Sequence, residues 1–291
     1  MQNAPGSREG TRDESRATAS RKWVLLSPSK TAVPDCFGRV HTDAARRDKL
    51  LVEMQRLRGS VYLEDGAIEA GQLTDGRHRA DADEVSWHLL VVDEDDRVWG
   101  CLRFHAHPAQ TRFLQLNVSR SPLAHSEQWG EKLRAAVEAE FALSRSLDLP
   151  CVEIGGWALA LGIRGTTEAV RMALAMYGLS QAVGGSVGIS TATRRHCSAS
   201  ILRRIGGRSL QYDGLELPPY NDPQFKCEME ILRFYSWAPN PRYTMWIEGI
   251  KQDLRTVPVL TDGHKACRTG DLLKRPSPGF PSGQNCPAMG V

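Results

Sequence analysis

The chain has 291 residues, 41% apolar and 24% charged, with a formal net charge of only +3. That length suffices for one large domain or two small ones, and the near-balanced charge excludes a chain that binds nucleic acid as a polyelectrolyte. Seven scattered cysteines without a Cys-x-x-Cys pair fit neither a disulfide framework nor a zinc site and suit a reducing, cytoplasmic compartment. No apolar run reaches transmembrane length, and the polar N-terminus has no secretory h-region.

In chain order, residues 1–34 read as a disordered tail that begins with a polar, low-complexity stretch. A folded domain is expected over 35–250, and 251–291 reads as a flexible tail rich in Gly, Pro and Ser. Thr42 or Asp43 caps a predicted helix reaching about Leu57, with Leu50, Met54 and Leu57 on one face. Trp87–Val92 and Val98–Phe104 are β-rich runs joined by the acidic turn Asp93–Asp96, which predicts a hairpin. Glu127–Ser144 is an amphipathic helix, and Cys151–Trp157 is a strand. Thr166–Ala182 is a helix apolar nearly all round, which places it against a sheet and other elements. Ser186–Thr193 reads as a strand, Arg195–Ile205 as a helix, and the alternating Phe225–Phe234 as a last strand. This order predicts an α/β (α+β) domain in which helices pack on a mixed sheet.

Glu153 is a carboxylate inside a strand, where acids are disfavoured. It is either a group that handles a proton, with its pKa raised by burial, or an acid on a wet face paired with an arginine. Gly162, Arg164, Gly165 and Thr166 lead into a helix start, where unpaired N–H groups and the macrodipole suit a phosphate; the plain alternative is a strand-to-helix turn. Arg103 ends a strand and could grip a carboxylate with its two-pronged guanidinium, or pair with a neighbouring acid. Asp81 and Asp83 could help bind an amine or simply sit in a solvated, charged loop. Arg194, Arg195, Arg203, Arg204 and Arg208 place five cations with no acid in fifteen residues, a patch that would steer an acidic partner or form a solvated face. No aromatic interleaves them, which argues against nucleic acid. His105 and His107 alternate on one strand face but lack a nearby third ligand, so no metal site is expected. Trp157 fills core or lines a channel. Cys197 reads as a structural thiol.

Taken together, the hairpin, Arg58–Tyr62 (RGSVY), Asp81-Ala82-Asp83, Arg103, Glu153 in VEIGGW, Arg164-Gly165 and the 198–207 run SASILRRIGG resemble the GNAT acyltransferase superfamily. The similarity covers about 40–235 and is closest to the branch of acyl-homoserine-lactone autoinducer synthases and long-chain N-acyl amino acid synthases. It implies a GNAT-like, mostly antiparallel sheet splayed at its centre, where a pantetheine arm lies between diverging strands. It further implies transfer of an acyl group, a long chain by preference, from an acyl carrier protein or CoA thioester to the amine of an amino acid or small amine. No cofactor is bound permanently; acyl-phosphopantetheine or acyl-CoA is the co-substrate. Glu153 and Arg103 would be catalytic, and Gly162, Arg164, Gly165 and Thr166 would hold phosphate. Arg58, Asp83, Gly155, Gly156 and Trp157 would contact substrate, and the five arginines would dock the carrier. The autoinducer synthases place an arginine three residues after the strand glutamate; Gly156 stands there, which argues against a lactone-forming use of S-adenosylmethionine. Two alternatives are a CoA-dependent N-acetyltransferase and a module that binds acyl thioesters without turnover.

Overall fold

The computed structural model describes residues 20–263. Its strands are β1 (Lys22–Leu26), β2 (Val40–Thr42), β3 (Trp87–Val92), β4 (Val98–His107), β5 (Cys151–Leu159), β6 (Val187–Thr193), β7 (Arg208–Ser209), β8 (Gln211–Tyr212), β9 (Leu215–Glu216), β10 (Tyr220–Asp222), β11 (Cys227–Tyr235) and β12 (Val259–Thr261). Its α-helices are α1 (Ala44–Glu64), α2 (Gly130–Ser146), α3 (Glu168–Ala182), α4 (Ser198–Ile205) and α5 (Thr244–Leu254). One mixed sheet runs in the order β10-β11-β6-β5-β4-β3-β1-β12-β2, with β7 also on β11. Most pairs are antiparallel; β5–β6, β1–β12 and β12–β2 are parallel. β8 and β9 form a separate hairpin.

The predicted hairpin is β3–β4, paired from Trp87–Phe104 to Val92–Val98 with a shift of register between Val91 and Val92. Asp93 closes its turn by accepting from the backbone N–H groups of Asp95 and Arg97. Asp43 caps α1 as expected, accepting from Arg46 N–H at 2.9 Å. The helix runs to Glu64, past the predicted end at Leu57.

Both predicted tails need correction. β1 lies inside the supposed tail 1–34, yet Val24, Leu25 and Leu26 are wholly buried and the strand pairs with β3 and β12. A short, continuous apolar run has no period to distinguish it, and the polar stretch before it hides its start. At the other end α5 crosses the predicted boundary at 250/251, and β12 sits between β1 and β2. Residues 1–19 and 264–291, where the remainder of both tails was placed, lie outside the described residues.

The two faces of the sheet differ. One carries α3, α4 and α5 over a continuous apolar cluster that includes Leu102, Phe104, Val152, Leu232 and Phe234. The other carries α1 and α2 over two separate clusters, one with Val24, Leu50, Met54 and Cys101, the other with Leu133, Phe141, Cys151 and Ile231. Alternation along the central strands places His88, Arg103, His105, His107 and Glu153 on this second face. They form a polar seam between its two apolar halves.

Candidate active site

The site begins where the sheet comes apart. Parallel pairing of β5 with β6 runs from Cys151–Val187 to Ile154–Ser190 and stops, although β5 continues to Leu159 and β6 to Thr193. Beyond that point β5 follows β4 and β6 follows β11. The expected central splay is therefore present. A bulge marks it on β5: Arg103 faces Gly155 and Cys101 faces Ala158, so Gly156 and Trp157 together oppose Leu102. Such an extra residue bends its strand and frees backbone groups from the ladder. Gly156 takes φ +61°, a conformation that side chains seldom adopt. A Cβ there would stand 3.4 Å from Arg103 Cβ and from Arg58 Nη1, so the arginine that the autoinducer synthases carry would be strained at this position.

Glu153 lies one residue before the last paired position and faces the seam. It is 7% exposed. Four donors surround its carboxylate: His107 Nε2 at 2.9 Å, Asn117 N–H at 3.1 Å and Asn117 Nδ2 at 3.2 Å on Oε2, and Val118 N–H at 3.1 Å on Oε1. Burial alone would raise its pKa, but these donors outweigh desolvation and hold it below the usual glutamate range. The expected upward shift is thus reversed. Glu153 is a fixed anion that ties the 113–125 segment to β5 through donors far away in sequence.

Arg58, Asp83 and Arg103 meet beside the bulge. Arg58 is buried within α1, which runs on past it to Glu64. It grips Asp83 with both prongs, at 2.9 and 2.6 Å, and reaches the His78 carbonyl. Asp83 is 1% exposed, which overturns the solvated-loop reading; Asp81 is exposed. Gln55 Nε2 and Ala80 N–H also donate to Asp83. Although burial opposes ionisation, Arg58 holds Asp83 down at about 2. Arg103 is 9% exposed but only 3.7 Å from Asp83, too far for a hydrogen bond, and its buried Nε has no partner. Its Nη2 would stand 3.9 Å from a Cβ at Gly155. One arginine is therefore saturated, while its neighbour has unused donors at the edge of the split.

The predicted phosphate cradle is otherwise engaged. Arg164 donates from Nε to the Leu159 carbonyl at 2.9 Å and pairs with Asp65 at 3.3 Å. Thr166 Oγ1 donates to the Ile163 carbonyl and accepts from Glu168 N–H. Gly162 is small because Trp99 lies 3.0 Å from where its Cβ would be. Glu168 places an acid in the first turn of α3, where it competes with an anion. Only Gly165, at φ +75° with open space around it, and Arg164 Nη2, buried without a hydrogen-bond partner, retain the freedom expected of a cradle.

The five-arginine patch is also less bare than its sequence window suggests. β11 brings Glu228 and Glu230 against it. Arg194 pairs with both, and Arg203 pairs with Glu230 at 2.6 Å. Arg194 and Arg203 line a polar cleft of about 370 Å³ with Glu216 and Glu230. Arg195 donates to the Asp65 carbonyl, while Arg204 and Arg208 are exposed. Among the described residues no cluster of His, Cys, Asp and Glu is arranged to hold a metal ion. Cys197 is exposed, not a buried structural thiol.

Sequence reasoning missed the partners of the seam. Ser86 Oγ lies 2.9 Å from His105 Nδ1, and His88 donates from Nε2 to the Asp83 carbonyl at 2.8 Å. On the opposite face a narrow apolar cavity is lined by Leu102, Ile154, Met176, Leu202, Ile205 and Phe234. Ile154 is the last residue of β5 that pairs with β6, so this cavity reaches the split. Its free volume of about 20 Å³ is little more than a water-sized sphere. Trp157 packs beside the same apolar core with its indole N–H buried and unpartnered.

No family model and no curated protein matches the chain. Solved structures do. The CoA-dependent acyl-homoserine lactone synthase BjaI, solved with SAM and isopentyl-CoA, aligns at 13% identity over 87% of this chain and 99% of its own, with a TM-score of 0.51. Its structure with MTA gives 12% identity, the same coverage and a TM-score of 0.50. FeeM, an N-acyl amino acid synthase from uncultured soil microbes, aligns at 10% identity over 75% of this chain and 92% of its own, with a TM-score of 0.44. The order of strands, the central split and the likeness to BjaI together give the chain the fold of that CoA-dependent acyl-homoserine lactone synthase.

Proposed function

We propose that the protein is an N-acyltransferase that moves an acyl group from a phosphopantetheine thioester to the amine of an amino acid or related small amine. The observation that carries this reading is the split after Ile154–Ser190, bordered by the Gly156 bulge and by a buried arginine with unused donors. Unpaired strand edges accept an extended amide-bearing arm as an added strand would be accepted. The thioester then lies at the bulge, where backbone N–H groups near Gly155 and Gly156 steady the oxyanion that forms on its carbonyl. The acyl chain turns to the apolar face and the amine arrives from the polar seam. Arg103 holds the carboxylate of the acceptor, two N–H groups to two oxygens. The amine nitrogen attacks the carbonyl carbon, the C–S bond breaks, and amide and free thiol result. Glu153 serves as a positioning anion, because four donors already hold its carboxylate, three on Oε2 and one on Oε1.

The donor is an acyl carrier protein or CoA. Exposed Arg204 and Arg208 are the members of the basic patch left to attract an acidic carrier, with exposed Arg195 before the other end of α4. The small cavity supports a second reading, a short acyl-CoA in place of a long chain; the synthase BjaI, of the same fold, was solved with isopentyl-CoA. Mass spectrometry of lipid extracts from cells overexpressing the chain tests the class. New N-acyl amino acids are expected. Acyl-lactones would replace the proposal with a lactone synthase, and the absence of both would leave an acetyltransferase or a binding module.

A further inference from the structure

Three histidines lie along the polar seam, and their surroundings differ. His88 is wholly buried, with Nε2 donating to the Asp83 carbonyl, so no diffusing amine reaches it. His107 is buried and its Nε2 is committed to Glu153. His105 is half-buried. Its Nδ1 lies 2.9 Å from Ser86 Oγ, and Ser86 has one proton, which goes to the Ala82 carbonyl at 2.5 Å. The serine oxygen therefore accepts, Nδ1 carries the ring proton, and the lone pair stands on Nε2. The nearby Val85 carbonyl also favours a ring N–H.

The geometry points to His105 as the general base that accepts the proton of the acceptor amine; this rests on the N-acyltransferase reading above. His105 and Arg103 alternate on β4, so their Cα atoms stand about 7 Å apart along one strand face. An acceptor whose carboxylate lies on Arg103 then has its amine within reach of the imidazole. An ammonium group cannot attack, so its first proton passes to Nε2. The neutral amine adds to the thioester carbonyl, the C–S bond breaks, and the thiolate takes one proton while one leaves to solvent. Arg103 and His107 on β4 and Glu153 across on β5 face the ring, with Ser86 and Val85 at its edge. Burial, His107 and Arg103 hold the imidazole down at about 4 against the pull of Glu153, so it is neutral at neutral pH and, as a weak base, carries the proton only transiently before passing it on.

The test compares wild type with His105→Gln and His105→Ala, using purified protein, an acyl-CoA that the wild type accepts, and an amino-acid acceptor. Loss of kcat/KM by about 10²–10⁴-fold is expected. The deficit should shrink as pH rises past about 8, where solvent itself supplies neutral amine. Added imidazole should restore part of the His105→Ala rate, which repair of a purely structural defect would not do. Rates within threefold of wild type across pH, or a loss that neither high pH nor imidazole relieves, would overturn the assignment. A wild-type protein that forms no amide would instead remove the reading beneath it.

Discussion

The two faces of the β4–β5 pair obey different rules. Toward α3 and α5 the pair presents Leu102, Phe104 and Val152, which join one continuous apolar core. Toward α1 and α2 it presents Arg103, His105, His107 and Glu153, and the core on that side is cut in two. Buried polar groups cost stability unless each finds a partner. Glu153, Asp83 and Arg58 have theirs; Arg103 Nε and His88 Nδ1 do not. An apolar seam would hold the sheet at least as well, so the departure lies where chemistry is expected to sit. The saturated members build the seam; of the two unsaturated ones, His88 is sealed inside it, and Arg103 at the split is the one the proposed reaction uses.

Breaking the saturated part should have the largest effect. Arg58→Ala leaves Asp83 ionised in the interior without its two-pronged partner, with only Gln55, Ala80 and the more distant Arg103 beside it, at a cost of about 3–5 kcal/mol in a denaturant titration. Arg58→Met combined with Asp83→Leu should recover most of that stability, since no charge is then stranded.

Arg103 is the contrasting case. Arg103→Met should change stability little, because the guanidinium makes no hydrogen bond to lose and its 3.7 Å ion pair is with an Asp83 already held by Arg58. It should raise KM for an amino-acid acceptor by about tenfold or more, the order of one lost charge-assisted hydrogen-bond pair. The corresponding amine without a carboxylate should be unaffected. Equal losses for both acceptors would mean that Arg103 does not read the carboxylate.

Acidification sharpens the comparison further. His88, pushed down to about 4 by burial, stays neutral in the fold. Its contribution is complete above about pH 6.5 and lost as pH falls toward 4. Asp83, held at about 2, contributes above about pH 4 and loses that stability toward pH 2, an effect on the order of 2 kcal/mol. Glu153 acts in the same sense, its pKa also depressed. Thermal unfolding across pH should therefore show Tm falling in two stages on the acid side. Glu153→Gln should weaken the lower stage and cost about 1–3 kcal/mol, because donors placed for an anion meet an amide. A single stage confined to below pH 4 would contradict the buried, neutral His88.

Smallest of all is the effect of pocket size on the apolar face. Met176→Ala should shift acyl-donor preference toward longer chains, by roughly 10-fold per methylene accommodated, as judged from competing thioesters. An unchanged profile would place the acyl chain elsewhere.

Much of the fold was legible because the informative signals are local. The acidic turn at Asp93–Asp96, the cap at Asp43 and the alternation in β11 each fix an element within a few residues. The split was legible through Gly155-Gly156 only with the resemblance beside it. Burial of Asp83 was not legible: RHRADADE reads as a solvated loop, and its partner Arg58 is 25 residues away on another element. The donors around Glu153 come from irregular turns at 117–118, which have no periodicity to recognise. The acids that neutralise Arg194 and Arg203 arrive from β11, so a patch judged by its own window looks more basic than it is.

The account depends most on the gap between β5 and β6 being where a thioester is opened by an amine. Thiol release and amide formation should be followed together, with purified protein, acyl-CoA or acyl carrier protein, and an amino-acid acceptor. One amide per thiol is expected, at a rate that falls steeply when Gly155→Val narrows the gap without unfolding the protein. Thiol release without amide, or amide formation indifferent to a filled gap, would contradict it.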